Sequence, residues 1–376
     1  IKVDNERIPG IDPDQALRYL GAKVGPWKGV HCDIIMPEIL SMMRKGSVLK
    51  LMDSEVRQEI KTILHLLPST ATGFFYAPKN CGGLGLPRFE HIAKLGTLRS
   101  ALKIKSSIDP AVASLIGDDE ETKLKKIANS LRINWPASLE DVEKAKRRLK
   151  GEHIKEWAGL KCPGQGVADF AKEKVSNVWL REYHSLKPSR LIDALRLSKN
   201  TIGTRTTLAR AYKNIDVTCR RCHAQPETLE HVLGLCQFTK GRLIKRHDEV
   251  KKLQNDVFVE PTIMVRCNRY KPDLVVKNEQ RLYVVDVTVS YENRDYLLKV
   301  CKEKVDKYLP CLEHLKSIYG SKEGSIIPVV LGTRGTVTMK TKESLYEMGL
   351  NNNKIKTIVI HVLISCIEIG NIFLEG

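Results

Sequence analysis

Four residues limit the fold of one short segment more tightly than anything else in the chain. In CRRCHAQPETLEHVLGLC the spacing is Cys219-x2-Cys222-x8-His231-x4-Cys236. Two close thiolates, a turn, then a histidine and a cysteine one helical turn apart can close a tetrahedron around zinc. Three sulfurs and one imidazole favour zinc over magnesium or calcium. A segment this short has little core of its own, so a structural zinc ion would contribute most of its folding free energy. The helix carrying His231 and Cys236 is expected to open at PETLEH, with Pro226 near its start. His223 is an alternative ligand, but its adjacency to Cys222 strains the geometry and it reads as a spectator. Ordinary buried cysteines are the competing account. Arg220 and Arg221, between the first two ligands, suit contact with a phosphate backbone; a solvated turn is equally compatible.

The remaining cysteines, of ten in total, are scattered. That pattern implies a reducing, intracellular compartment with one metal site rather than a secreted disulfide framework. Lysine and arginine number 62 against 44 acidic residues, a net charge of +18. Such an excess points to a polyanionic partner, nucleic acid first and an anionic membrane surface second. A length of 376 residues suggests two to four modules, and 42% hydrophobic content supplies real cores. No signal peptide is visible, and the sequence starts at Ile1 in mid-pattern, as expected for a piece of something longer. One stretch resembles a membrane span, TIVIHVLISCIEIGNIFL over 357–374, but His361, Glu368 and Asn371 interrupt it. It reads as a buried C-terminal helix, with no membrane partner.

Along the chain, LRYLGAKV near the start reads as a strand or hairpin, and apolar residues recur at helical spacing over 37–67. APKNCGGLGLP, over 77–87, is a loop by its glycines and prolines. Helical patterns follow near 89–105 and 120–133. Ser138, with Asp141 three residues on, caps another helix. Its exposed face carries Lys144, Lys146, Arg147, Arg148 and Lys150, either a solvated face or one that tracks phosphates. Further helices are expected over 167–184 and 188–198. After about residue 255, β-rich runs at 257–266, 273–277, 281–289 and 326–331 enclose a long helical pattern at 293–318, which reads as a separate α/β domain.

Within that region, RYKPDLVVKNEQRLYVVDVTVSYE places Asp273 at the mouth of one strand and Asp286 inside the next, twelve residues between them. Both ionised in a hairpin, they would repel, and burial would raise their pKa values. A magnesium or manganese ion removes both problems, and phosphodiester hydrolysis needs such an ion. The competing account has Asp273 capping a turn and Asp286 paired with a buried cation. The pattern resembles the PD-(D/E)xK nuclease core with one departure: Thr288 stands where the lysine is expected. The next helix offers Lys299, Lys302, Lys304 and Lys307. Lys304 and Lys307, three apart on one face, are the best candidates, unless they belong to a salt-bridged surface helix with Glu303 and Asp306. Glu260 and Glu292 are candidates for a third metal-binding carboxylate.

The order ALRYLG, GGLGLP, a helical stretch, CRRC…H…C, then RYKPDLVV…VVDVTVSYE…EKVDKY resembles the C-terminal half of site-specific non-LTR retrotransposon Pol polyproteins of the R-two clade. The resemblance covers nearly the whole chain. It implies a multidomain protein with a mostly α-helical N-terminal thumb and linker, a small zinc knuckle and an α/β PD-(D/E)xK-like nuclease domain. Its boundaries would be 1–35 for the tail of a reverse transcriptase palm, 36–110 for the thumb, 111–214 for a basic linker, 215–240 for the knuckle and 241–376 for the endonuclease. It further implies a nuclear protein that nicks target double-stranded DNA, within ribosomal RNA genes, so that the freed end primes copying of the element RNA. By motif, the nuclease acids fall on Asp273 and Asp286, the lysines on Lys304 and Lys307, and the basic lead-in on Lys271. The polymerase palm would lie upstream of Ile1, because Asp118-Asp119 sits in a polar turn leading into a helix. A catalytically inactive zinc-knuckle protein that binds nucleic acid is the alternative.

Overall fold

A computed structural model of the chain describes residues 46–375 apart from 211, 255–260, 279–280 and 294; of the first 45 it describes only the backbone of five short strands. Leu17–Tyr19 pairs antiparallel with Ala22–Gly25, the hairpin expected at LRYLGAKV, and Ala22–Gly25 pairs in turn with Gly29–His31. The expected palm tail lies mostly outside the described residues, as do Glu260 and the start of the helical pattern over 37–67. From Gly46 that pattern is a helix, α1 (Gly46–Ile63).

The chain divides into two compact units, 1–57 with 88–139 and 58–87 with 140–376. The first contains α2 (Phe89–Lys105) and α3 (Asp118–Ser130), with Leu98, Leu124 and Ala128 buried. Asp53 accepts the N–H of Phe89 at the start of α2 (3.1 Å). Glu121 accepts from Lys105 (2.6 Å) and the Trp135 indole (3.1 Å). Asp118 and Asp119 form the acidic first turn of α3, where a carboxylate favours the helix N-terminus.

The second unit has a core running from Leu66 to Phe373. The part of the expected linker after residue 139 folds into it: Trp157 at the end of α4 (Leu139–Ala158) is fully buried against Phe74 and Phe170. The GGLGLP loop is part of the same packing. A Cβ on Gly83 would lie 2.1 Å from the Ala77 carbonyl oxygen, so only glycine lets the loop close. The helix expected over 167–184 is broken into short turns, Val167–Phe170, Lys174–Asn177 and Val178–Arg181. The Asn177 amide donates to the carbonyls of Phe170 (2.6 Å) and Asn80 (3.1 Å), replacing the backbone partner a continuous helix would provide. α5 (Pro188–Ser198) forms where expected. Just beyond it, Lys199 is fully buried, donates to the Gly82 carbonyl (2.7 Å) and lies 4.0 Å from the ring centres of Phe74 and Trp157.

After α6 (Lys240–Gln254) a short hairpin, β1 (Ile263–Val265) and β2 (Asn268–Tyr270), leads into a three-stranded sheet. β3 (Leu274–Asn278) runs antiparallel to β4 (Arg281–Ser290). α7 (Tyr296–Tyr319) crosses over to β5 (Glu323–Gly332), which is parallel to β4. The middle strand β4 is covered on both faces, hence its nearly unbroken β-branched run. Leu282 and Val284 pack with Tyr308, Cys311 and Leu315 of α7. Val285 and Val287 join the main core with α6 and the C-terminal helix, α9 (Asn352–Glu375), which follows α8 (Met339–Glu347). By length and composition α9 could cross a membrane. Here Ile355, Val359, Leu363, Ile367 and Phe373 are buried in the core, each adding about 1.5–3 kcal/mol of burial. The knuckle, the later part of the expected linker and the α/β elements therefore share one core.

Candidate functional site

The Cys–His segment is built from two local devices. Cys219 and Cys222 flank a turn closed by the His223 N–H on the Cys219 carbonyl (3.0 Å), with His223 at a φ of 55°. The Cys219 N–H then pairs with the Gln225 carbonyl (2.8 Å). His231–Leu235 winds as one wide π turn, closed by the Cys236 N–H on the His231 carbonyl (2.8 Å). That extra residue puts positions five apart on one side, which an α-helical turn does not. The ligand atoms of Cys219, Cys222, His231 and Cys236 lie within 4.8 Å of one another. Cys219 Sγ is 3.9 Å from Cys236 Sγ, and Cys222 Sγ is 3.2 Å from His231 Nε2. Zinc–sulfur bonds of about 2.3 Å in a tetrahedron set sulfurs about 3.8 Å apart, so this donor set fits a zinc-sized ion.

Arg220 and Arg221 depart from their expected role. Arg220 pairs with the fully buried Glu227 (2.7 Å) and donates to the Gly203 carbonyl (3.1 Å). Arg221 donates twice to the Phe373 carbonyl (3.0 and 2.9 Å) at the end of α9 and lies over the Phe238 ring. Both guanidiniums brace the fold, because a buried carboxylate and the last carbonyls of a helix need donors. On α4, Lys146, Arg147 and Arg148 are exposed; Lys146 and Arg148 lie 3.9 and 3.7 Å from Glu143 and Glu152.

Both aspartates lie beside β4, but their carboxylates turn to different helices, Asp273 to α6 and Asp286 to α7. The register pairs Leu274 with Val285, so one further step sets Asp273 opposite Asp286. Asp273 Oδ2 accepts the N–H of Val287 (2.8 Å), the peptide that leaves Asp286. Asp286, 4% exposed, turns toward α7: Oδ2 is 2.6 Å from Lys304 Nζ, and Oδ1 accepts the Tyr308 hydroxyl (2.6 Å). Lys304 thus reaches the acid directly. Lys307 instead donates to the Tyr308 oxygen (2.8 Å). The Tyr308 hydroxyl also lies 2.9 Å from the carbonyl of Lys271, whose side chain is exposed. Burial and the Asp286 carboxylate push the Tyr308 hydroxyl pKa well above its ordinary value.

Two partners of Asp273 escape the sequence reading. His247 Nε2 lies 3.2 Å from Asp273 Oδ2 and 3.1 Å from the Val287 carbonyl, and Lys251 Nζ lies 3.8 Å from Asp273 Oδ1. Burial disfavours the Asp273 carboxylate, but the hydrogen bonds from His247 and Val287 outweigh it and hold its pKa below the usual range. The available signal was RHDEVK, which sets His247 and Lys251 four apart on one face of α6. Tyr308, four residues after Lys304, was visible by the same rule. Glu292 does not serve as a third acid at this site. It is fully buried, pairs with Arg334 (3.0 Å) and accepts from Thr333 (3.0 Å).

No family model matches the chain. Curated relatives do match, and three of them show the pattern. A Pol polyprotein from a type-1 retrotransposable element R2 of Popillia japonica is 26% identical, over 96% of this chain and 83% of the relative. One of the same description from Nasonia vitripennis is 24% identical over 94% of this chain and 34% of the relative. The Pol polyprotein of the type-2 element R2DM of Drosophila melanogaster is 23% identical over 68% of this chain and 25% of the relative. The chain thus spans most of the first, but only about a third and a quarter of the other two. Across nearly all of its length, then, the chain is a homologue of the Pol polyproteins of R2 retrotransposable elements.

Proposed function

We propose that the chain is the endonuclease-bearing part of a retrotransposon reverse transcriptase. On this reading it nicks target double-stranded DNA with a divalent metal, so that the free end primes copying of the element RNA. The nucleus, and ribosomal RNA genes within it, are the setting that the sequence resemblance implies. The observation that carries the proposal is Asp273 held on the N–H of the peptide that leaves Asp286, with Lys304 2.6 Å from the Asp286 carboxylate.

Asp273, Asp286 and the Val287 carbonyl offer hard oxygen donors of the kind magnesium or manganese prefers. His247 Nε2 sits between Asp273 Oδ2 and the Val287 carbonyl, a position that attracts positive charge. A divalent ion held there supplies Lewis acidity toward a phosphodiester oxygen. Lys304 orients Asp286 and places an ammonium beside the scissile phosphate. Lys307 acts at one remove, through the Tyr308 hydroxyl. The Cys219, Cys222, His231, Cys236 set holds a structural zinc, and the exposed basic face of α4, with Lys146, Arg147 and Arg148, together with Lys271, tracks the phosphate backbone.

A second reading has its own support. Lys304 already neutralises Asp286, and His247 with Lys251 neutralises Asp273, as expected of a catalytically inactive α/β domain that only binds nucleic acid. A magnesium-dependent nicking assay on supercoiled plasmid separates the two. Nicking by the parent chain that is lost in Asp273→Ala and Asp286→Ala, with DNA binding retained, supports the enzyme. Binding without nicking by the parent supports the inactive domain.

A further inference from the structure

The hairpin β1–β2 is anchored on one face only. Ile263, with Val265 and Tyr270, packs against Val275, Leu282 and Leu315 of the sheet and α7. The other face is open: Met264 and Arg269, cross-strand partners in the register, are both exposed, as are Arg266, Cys267 and Asn268 at the tip. Arg266 and Arg269 make no ion pair among the described residues. The tip is a two-residue turn with both central residues at positive φ, Arg266 at 47° and Cys267 at 65°. Asn-Gly is the least strained choice for such a turn. Here it carries a long cation instead, and stability is given up for a charged, exposed tip.

The base of this hairpin is tied to the acid pair. The chain leaves β2 through Lys271, whose carbonyl lies 2.9 Å from the same Tyr308 hydroxyl that is bonded to Asp286. Six residues separate Cys267 at the tip from Asp273, so the tip stands at most roughly 20 Å from that acid. That corresponds to at most about six base pairs along a duplex. The major groove of B-DNA admits a two-stranded ribbon, whereas the A-form major groove of duplex RNA is too narrow.

We propose that the β1–β2 hairpin inserts into a groove of duplex DNA beside the cleavage site, with Arg266 and Arg269 on phosphates or base edges, and sets where the strand is cut. This inference rests on the endonuclease reading, and its test reports independently of cutting.

Cys267 is the one exposed cysteine among those described, which makes it a chemical handle. The full chain is labelled with a cysteine-selective aryl azide, bound to plasmid-derived duplex DNA and irradiated, with Cys267→Ser as the control for labelling elsewhere. The expected result is Cys267-dependent crosslinking to duplex DNA, within about six base pairs of any nick. The variant Arg266→Ala/Arg269→Ala should bind about tenfold to a hundredfold more weakly. The slope of its affinity against log salt should fall by about two, and its nicks should spread over more positions. Crosslinking without nicking keeps the hairpin assignment and refutes the nuclease. The hairpin assignment is overturned by an absence of crosslinks where gel shifts show the DNA fully bound, by an absence of any shift, or by equal crosslinking to duplex RNA.

Discussion

The N–H of Val287 donates to Asp273 Oδ2 at 2.8 Å, and that N–H belongs to the peptide bond leaving Asp286. One carboxylate is therefore fixed by the backbone of the residue that follows the other. Asn at position 273 can still accept this hydrogen bond through its carbonyl oxygen but carries no charge. Asp273→Asn should still fold, with a lowered melting temperature because the pairing with His247 and Lys251 is lost, and lose plasmid nicking by at least about a hundredfold, the scale of removing one preorganised electrostatic group. Equal nicking rates for the variant and the parent would remove Asp273 from the site.

The two lysines of α7 are not equivalent. Lys304 touches Asp286 directly, whereas Lys307 reaches it only through the Tyr308 hydroxyl. Lys304→Met should lower nicking about a hundredfold, and Lys307→Met by no more than about tenfold. Tyr308→Phe keeps the ring in its buried position and removes only the hydroxyl, so it should fall between them. A larger loss from Lys307→Met than from Lys304→Met would reverse the assignment of roles.

Much of this was legible in the sequence because its causes are local. β4 and β5 follow from β-branched runs, α7 from a 3.6-residue period, and the Cys–His cluster from ligand chemistry at short spacing. What escaped detection depends on distant partners. Arg221 looks like a phosphate ligand until Phe373, far along the chain, accepts from its Nε and Nη2. His247 acquires its meaning only when α6 lies across the mouth of β3. Glu292 looked available until Arg334 closed on it, and the later part of the supposed linker joins the core because Trp157 packs on Phe74 from an earlier segment.

The shared core changes what zinc loss should do. Cys219 and Cys236 are buried in the core that also contains α9. Loss of the metal should therefore loosen the second unit and not the knuckle alone. Atomic absorption should find about one zinc per chain, falling in Cys222→Ser. The melting temperature should fall by roughly 6–12 °C, the shift expected for about 3 kcal/mol in a domain of this size. Unchanged zinc content would show that the ligand set is wrong.

Glu292 and Arg334 form a fully buried pair in which Arg334 also donates to the Gln165 carbonyl (2.7 Å). Removing one partner leaves the other charge uncompensated. Arg334→Met should cost about 3–5 kcal/mol in denaturant unfolding. The double variant Arg334→Met/Glu292→Gln should recover part of that loss, since no buried charge is then left over. A single variant as stable as the parent would show that the pair is relaxed by solvent.

Asp169 gives the second unit a pH dependence of its own. Its side chain is 9% exposed, and its Oδ2 has no hydrogen-bond partner among the described residues. Burial, opposed by Lys172 and reinforced by Glu292, pushes its pKa from 3.8 up to about 6. Between those values the folded chain holds a proton that the unfolded chain has released. Stability from this group is therefore full below about pH 4 and is lost as the pH rises through about 6. Asp169→Asn removes the loss. The variant should match the parent at pH 4 and exceed it by about 3 kcal/mol at pH 7 in urea unfolding. A stability difference that does not vary between these two pH values would show that Asp169 titrates normally.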